Sequence, residues 1–213
     1  MNWLSYIFPQ TVARASSPYN RDIRVNVENG TYKLLVNGAR ESGAYIASLW
    51  RHAFRSFGVT KKREVKNILV LGVAGGTIIH MLHKAYPESR ITGVDIDAVI
   101  LDIGKTHFGL GALPRFRSVC RDARKFVSAY KGVRFDLVVV DIYVGPDVPD
   151  FVLTSKFERN VKKLLSQNGF VLINYLRQPG YEEKAVKLQN ILQTLYNNVR
   201  SADIHNNRFF LAQ

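Results

Sequence analysis

Four short segments carry the residues whose types and spacing suit a ligand site, and each directly follows a predicted strand. The first is the small-residue turn at 72–77. Here Gly72, Ala74 and Gly76 let the backbone approach a ligand, and the helix behind the turn offers free N–H groups. The dinucleotide fingerprint requires glycines at 72, 74 and 77, and the last two positions hold Ala and Thr, so the turn does not favour NAD. A tight turn that binds nothing is the alternative.

Acidic residues follow the next two predicted strands. Asp95 comes after Gly72 at close to the spacing of about 20 residues at which a carboxylate accepts hydrogen bonds from ribose hydroxyls. Asp97 is better placed to cap the following helix. Asp122 also stands at a predicted helix start, where it either caps that helix or accepts a hydrogen bond from an adenine amine. We assign Ile96 and Ala123, the neighbours of these acids, to the same binding surface.

The fourth segment is 141–143, after the most apolar strand of the chain. Asp141 is a candidate base and Tyr143 a candidate for closing over a ligand, although a tyrosine at a strand end is equally suited to packing. Ligands of open α/β sheets bind at the carboxyl ends of the strands. All four segments are predicted there, which makes the set more specific than any one member.

The elements that must position these residues alternate between strand and helix. Continuous apolar runs predict buried strands at 68–71, 91–94, 135–140 and 170–173, and helical spacing predicts helices at 98–106, 122–130, 154–167 and 181–198. Asn168-Gly169 is interpreted as the stop of the third of these helices. We therefore predict an α/β fold, a doubly wound and mostly parallel Rossmann-like sheet over 66–213 that a C-terminal β-hairpin closes. Residues 1–65 are predicted to form a smaller region, with a hairpin around Asn29-Gly30 and a helix over 44–57.

Composition narrows the function classes. The 213 residues carry a formal charge of +13, and the excess lies in 1–66 and 115–134. This charge fits either a polyanion such as nucleic acid or a solvated surface, and without a nucleic-acid motif the second interpretation is favoured. The single cysteine, Cys120, excludes an internal disulfide and a multi-cysteine zinc site, and no metal is predicted. The apolar stretch at the N-terminus is too short for a signal peptide or a membrane span, so a soluble protein is expected. Because nothing in the sequence needs an oxidising compartment, we expect it to be cytoplasmic.

Several of these segments together resemble the spermidine synthase-like proteins of the S-adenosylmethionine-dependent methyltransferase superfamily. The resemblance rests on residues 17–20 (SPYN), 36–42 (VNGARES), 71–76 (LGVAGG), 94–97 (VDID), 121–124 (RDAR), 140–143 (VDIY), 148–150 (VPD) and 154–157 (TSKF). It implies a small N-terminal β-region, a homodimer, and an S-adenosyl co-substrate, either S-adenosylmethionine or its decarboxylated form. It places Asp95 at the ribose and Asp122 at the adenine, and it adds Asn20 and Glu41, which replace glutamines of the family, to the binding residues.

The departures from the family pattern concern the acceptor. Aminopropyl-transferring members carry an Asp at the position of Gly75 and a second Asp at the position of Val144, and they carry Tyr-His-Glu where this chain has 45–47 (YIA). A diamine is a dication that carboxylates must hold and a base must deprotonate. We therefore predict a spermidine synthase-like transferase with an altered acceptor, in which Asp147 is a hypothetical substitute for the missing acid. The alternatives are a methyltransferase with an unidentified acceptor and a non-catalytic relative that binds a nucleotide or a nucleic acid.

Overall fold

A computed structural model describes residues 3–61, 64–145 and 147–213, and two sheets organise it. The strands are β1 (Gln10–Ala15), β2 (Ile23–Glu28), β3 (Thr31–Val36), β4 (Ala39–Arg40), β5 (Asn67–Leu71), β6 (Arg90–Asp95), β7 (Phe116–Cys120), β8 (Phe135–Val140), β9 (Leu165–Leu176), β10 (Val199–Ile204) and β11 (Asn207–Ala212). The α-helices are α1 (Ala44–Phe57), α2 (Thr77–Ala85), α3 (Ala98–His107), α4 (Ala123–Ala129), α5 (Ser155–Leu164) and α6 (Glu182–Leu195). A short 3-10 helix, Asp150–Leu153, precedes α5.

The larger sheet has the order β10-β11-β9-β8-β5-β6-β7. Its five strands from β9 to β7 are parallel, while β10 and β11 form an antiparallel hairpin against β9. Helices cover both faces of the sheet, so side chains that point to either face are buried and need to be apolar. This is why the central strands coincide with continuous apolar runs. The predicted α/β class, with its mostly parallel Rossmann-like sheet and its closing C-terminal hairpin, is confirmed.

Two cores cover the two faces of this sheet. On one face, α1, α2 and α3 pack on alternate sheet residues, and Trp50 of α1 meets Phe209 edge to face. On the other face, α4, α5 and α6 pack on the residues in between. Helix α1 therefore buries its apolar stripe against the large sheet, although the predicted division at residue 65 groups it with the N-terminal strands. That division stays a prediction.

The smaller sheet has the order β1-β2-β3-β4 and is antiparallel. Asn29 and Gly30 both have positive φ at the β2–β3 turn, as expected of a tight hairpin. The inner face of β2 and β3 packs on Ile100 and Ile103 of α3. Strand β1 was not predicted because its residues, QTVARA, do not alternate clearly between apolar and polar.

One helix end was predicted wrongly. Helix α5 ends at Leu164, and Asn168-Gly169 lies inside β9. Gly169 lies next to a register shift between β8 and β9, where the two strands approach closely. A Cβ at this position would stand 2.7 Å from the Phe135 carbonyl oxygen. Lys62 and Arg63, in the polar segment before β5, lie outside the described residues. Over the described ranges, no helix is both long and apolar enough to cross a membrane.

Candidate functional site

A cavity of about 460 Å³ opens at the carboxyl ends of β5, β6, β7 and β8, where the N-terminal sheet covers it. Apart from Gly76 and the hypothetical substitute acid Asp147, all residues proposed for the site line this cavity, namely Asn20, Glu41, Gly72, Ala74, Asp95, Ile96, Asp122, Ala123, Asp141 and Tyr143. These residues are spread over more than 120 positions of the chain. The topology brings them together because parallel strands end at one edge of the sheet.

Gly72 sits where two strand ends nearly touch. Its φ is +92°, and a Cβ there would stand 1.9 Å from the carbonyl oxygen of Asp141. No other residue type fits both this conformation and this approach. The glycine thereby allows the turn after β5 and the acid after β8 to share one wall of the cavity.

The other two glycines of the turn do not line the cavity. Gly76 has a φ of +74° and immediately precedes α2, with the Leu110 side chain 2.5 Å from the place of a Cβ. At Gly75 a Cβ would stand 2.6 Å from the Cβ of Ser42, whose hydroxyl accepts a hydrogen bond from the Leu34 amide. Ser42 thus occupies the space that an aspartate at position 75 would need.

Asp95 faces the turn after β5. Its Oδ2 accepts hydrogen bonds from the Val73 and Ala74 amides at 2.9 and 3.4 Å, and its Oδ1 accepts one from the Asp97 amide. Burial, together with the nearby Asp97 carboxylate, raises the pKa of Asp95, and the three backbone donors oppose that rise. The carboxylate is therefore held rigidly on the cavity wall.

Asp97 joins the two sheets. Its Oδ1 caps α3 through the Val99 amide, as the sequence predicted, while its Oδ2 accepts hydrogen bonds from Ser17 Oγ at 2.5 Å and Asn20 Nδ2 at 2.8 Å. Asn20 also accepts a hydrogen bond from Asn37 in the turn after β3. Both polar atoms of the Asn20 side chain are thus hydrogen-bonded to other residues of the protein. This indicates a positioning role for Asn20 at the cavity rim.

Asp122 caps α4 by accepting a hydrogen bond from the Lys125 amide at 3.1 Å. The Arg124 guanidinium bonds its other oxygen at 2.8 Å, and this bond holds the pKa of Asp122 below its usual range. Arg124 also lies over the Phe151 ring. This end of the cavity therefore combines a fixed carboxylate with an aromatic ring and a guanidinium plane.

Asp141 is the centre of a partly buried polar network. Asn174 Nδ2 donates a hydrogen bond to its Oδ1 at 2.8 Å, and the Trp50 side chain donates another. Asn207 on β11 completes the network by donating to Asn174 Oδ1 at 2.9 Å and to the Tyr143 hydroxyl at 3.2 Å. Burial raises the pKa of Asp141 to about 6 despite these donors. This pKa suits proton exchange near neutral pH.

Glu41 enters the cavity from the N-terminal sheet, directly after β4. Burial raises the pKa of its carboxyl to about 7, and the Asp141 and Asp95 carboxylates add to the rise. The carboxyl groups of Glu41, Asp95 and Asp141 therefore interact within one cavity. The positive charge of the whole chain does not suggest this cluster.

Asp147 lies away from the cavity. It is exposed and accepts a hydrogen bond from the Tyr181 hydroxyl, so the structure does not place it as the substitute acid. Asn174 and Asn207 are the site residues that sequence reasoning missed, because an asparagine in an apolar strand or in a hairpin turn carries no local signal of this network. No cluster of three or more His, Cys, Asp or Glu suited to a metal occurs among the described residues.

The chain is similar over residues 51–205 to the spermine/spermidine synthase domain. It is 27% identical over 135 residues to a polyamine aminopropyltransferase of Vibrio vulnificus, which covers 62% of this chain and 45% of that protein. It is 31% identical over 139 residues to the eEF1A lysine and N-terminal methyltransferase homolog of Drosophila melanogaster, over 58% of this chain and 21% of that protein. The matches thus span less than half the length of these relatives.

Solved structures share the fold. A probable spermidine synthase from Corynebacterium glutamicum superposes with a TM-score of 0.78 at 18% identity, over 96% of this chain and 80% of that one. Human methyltransferase-like protein 13 in complex with SAH superposes with a TM-score of 0.66 at 20% identity, over 76% of this chain and 81% of that one. A spermidine synthase in complex with the transition state analogue AdoDATO superposes with a TM-score of 0.75 at 12% identity, over 95% of this chain and 72% of that one. Ligands of the S-adenosyl type thus occupy two of these neighbours.

Proposed function

Because the chain belongs to the spermine/spermidine synthase family, we propose that it binds an S-adenosyl compound in this cavity and transfers a carbon group from the sulfonium to an amine. One observation carries the proposal: Asp95 ends β6, Asp122 follows the neighbouring strand β7, and Asp141 follows β8 on the other side of β5. A nucleoside and a reacting centre then fit side by side in one cavity.

The nucleoside end is assigned to the β6 and β7 ends. The Asp95 carboxylate accepts hydrogen bonds from the ribose hydroxyls, and Asp122 with the Ala123 backbone faces the adenine. Ile96 supplies an apolar contact between them. Gly72 and Ala74 let the backbone approach the ligand beside the ribose.

The reacting centre is assigned to Asp141. The lone pair of the amine attacks the carbon bonded to the sulfonium, a C–N bond forms, and the C–S bond breaks with its electron pair moving to sulfur to give a neutral thioether. The proton that the amine loses passes to the Asp141 carboxylate and then to water. Tyr143, held by Asn207, closes the cavity over the amine.

The acceptor is proposed to differ from the diamine of aminopropyltransferases. Ser42 fills the space beside Gly75, and Val144, which is 60% exposed, lines the cavity where the family resemblance implies a second acid. A diamine keeps a second positive charge that an apolar side chain does not stabilise. An amine with one charged group suits this wall better.

Thermal-shift titration tests the proposal with four ligands: S-adenosylmethionine, its decarboxylated form, methylthioadenosine and S-adenosylhomocysteine. At least one pair of donor and product is expected to raise the melting temperature. Asp141→Asn, which keeps the shape of the side chain, is expected to retain product binding and to lose transfer by about 100-fold or more. Absence of a shift with all four ligands would refute the S-adenosyl proposal.

Methyl transfer is the second candidate, and the similarity to the Drosophila melanogaster methyltransferase favours it. Methyl transfer is an in-line displacement that depends mainly on positioning, so it needs no pair of carboxylates for the acceptor. Stabilisation by S-adenosylmethionine and S-adenosylhomocysteine alone would support this candidate over the transfer of a longer group.

A further inference from the structure

We propose that a second cavity, at the amino ends of the central strands, binds a nucleoside phosphate. Arginine side chains hold the phosphate and aromatic rings contact the base, and the ligand is either a free nucleotide or one unit of a single-stranded RNA. The cavity has a volume of about 400 Å³, which is enough for a small molecule of this class. It lies at the sheet edge opposite to Asp95 and Asp141, so the inference does not depend on the proposed S-adenosyl ligand.

The cavity forms because α4 is shorter than the strands on which it packs. Its seven residues span about 10 Å, whereas the six residues of β6 span about 20 Å. Helix α4 begins just after the carboxyl end of β7 and runs back along the sheet, so it ends before the amino ends of the strands. Asn67, Thr92 and Arg117 on β5, β6 and β7 therefore line a cavity at this edge.

The charge of this cavity is positive. Arg90, Arg115 and Arg117 line it, and its described lining contains no Asp or Glu. Arg115 is paired with the exposed Glu88 at 2.5 Å. Arg117 Nε donates a hydrogen bond to the buried Thr92 Oγ1 at 3.0 Å, which orients the guanidinium. Within the described residues, the Arg90 side chain and the terminal nitrogens of Arg117 have no partner, so both are available for the paired hydrogen bonds that a guanidinium donates to a phosphate.

Aromatic rings lie beside these arginines. Phe116, Tyr130 and Phe135 all line the cavity. The Tyr130 ring lies 5.1 Å from the Phe126 ring and 5.1 Å from the Phe135 ring, measured between centroids, so its position is fixed although it is only half-buried. Val133, which is 59% exposed, extends the apolar rim. A simple anion needs only the cations, whereas a nucleotide uses the aromatic wall as well, because bases stack on aromatic side chains.

This cavity gives a use to positive charge that the transfer reaction does not need. Segment 115–134 carries a large excess of Lys and Arg over acids, and it supplies one wall of the cavity. Its charge by itself fits either a polyanion or a solvated surface. The combination of unpaired guanidinium groups with aromatic rings in one cavity favours an anionic ligand. An RNA strand that leaves the cavity past Val133 would meet the exposed Lys131 and Arg134.

Calorimetric titration of the full chain at low salt tests the inference with UMP, uridine, inorganic phosphate and a short oligouridylate RNA. Uracil probes avoid the cavity that is proposed to hold an adenine. UMP is expected to bind about tenfold or more tightly than uridine and than inorganic phosphate, because it alone of the three engages both the arginines and the aromatic wall. The RNA distinguishes the two sources of this ligand chemistry: a site for a strand binds it more tightly than UMP and weakens steeply with salt, whereas a site for a free nucleotide does not prefer it.

Matched variants locate the binding. Arg90→Gln and Arg117→Gln are each expected to weaken UMP binding by about tenfold or more. Arg51→Gln, at an exposed position of α1, removes the same charge outside the cavity and is expected to match the wild type. Val133→Glu places a negative charge on the exposed rim and should weaken UMP binding without removing a hydrogen bond of the fold, while Val133→Thr, of similar shape, should not.

Three results would overturn the inference. The first is that neither UMP nor the RNA binds the wild type at low salt. The second is that uridine or inorganic phosphate binds as tightly as UMP. The third is that Arg51→Gln weakens binding as much as Arg90→Gln and Arg117→Gln, which would assign the binding to the general charge of the surface. If the loss of its bond to Thr92 lowers the melting temperature of Arg117→Gln, Val133→Glu decides instead, and wild-type affinity for UMP in that variant would overturn the inference.

Discussion

Replacing Glu158 by glutamine is expected to remove a pH-dependent loss of stability. Glu158 lies on α5 inside the core between α5, α6 and the sheet, fully buried, and neither carboxyl oxygen has a hydrogen-bond partner among the described residues. Burial raises the pKa of its carboxyl from 4.5 to about 8. The Glu158 charge acts on the Tyr196 hydroxyl, whose pKa is raised by burial and by that charge.

The sign and size of the effect follow from proton linkage. Between the unfolded pKa and the folded pKa the native state binds more protons than the unfolded state, so the stability that the neutral carboxyl permits at low pH is lost as pH rises. A difference from 4.5 to about 8 corresponds to a total loss of about 5 kcal/mol. About 2 kcal/mol of it falls between about pH 6 and about pH 8.

Urea unfolding of the wild type and Glu158→Gln at several pH values in this window measures the effect. The buried glutamine amide changes the free energy of unfolding by the same amount at every pH. The informative quantity is therefore how the difference in unfolding free energy between the two proteins changes with pH. Glu158→Gln should gain about 2 kcal/mol relative to the wild type as pH rises. Glu64→Gln, at an exposed site, should run parallel to the wild type. A constant difference between the wild type and Glu158→Gln would refute the reasoning.

Three further substitutions test how the site is built. Gly72→Ala should lower the free energy of unfolding in urea by about 3 kcal/mol or more and abolish methylthioadenosine binding, because its Cβ would stand 1.9 Å from the Asp141 carbonyl oxygen. Binding at wild-type strength would contradict this. Asp97→Ala should lower the free energy of unfolding in urea by about 3 kcal/mol, because Ser17 and the first amides of α3 lose their acceptor. A loss well under 1 kcal/mol would show that Asp97 does not stabilise the contact between the two sheets. Asn174→Ala should shift the acidic limb of the pH–rate profile for transfer to higher pH by about one unit, because Asp141 loses a hydrogen-bond donor that lowers its pKa. If this limb does not shift, Asp141 is not the base.

Local patterns were sufficient for the central sheet and for part of the site. Buried apolar runs predicted four strands of the central sheet, and acids placed just after predicted strand ends put Asp95, Asp122 and Asp141 at one edge. This inference works because parallel strands in an α/β sheet end on the same side, so position along the chain translates directly into position in space. The β2–β3 turn was equally readable from Asn29-Gly30.

Long-range packing decided the rest. Asn168-Gly169 has the local chemistry of a helix end, yet strand pairing with β8 placed it inside β9. Glu41 and Asp141 are far apart in the chain, and only the seating of the small sheet on α3 brings their charges together. Residue spacing thus indicated which groups stand at the strand ends. Their pKa values and partners came from burial and from contacts across the fold, because desolvation and hydrogen bonding depend on neighbours that the local sequence does not contain.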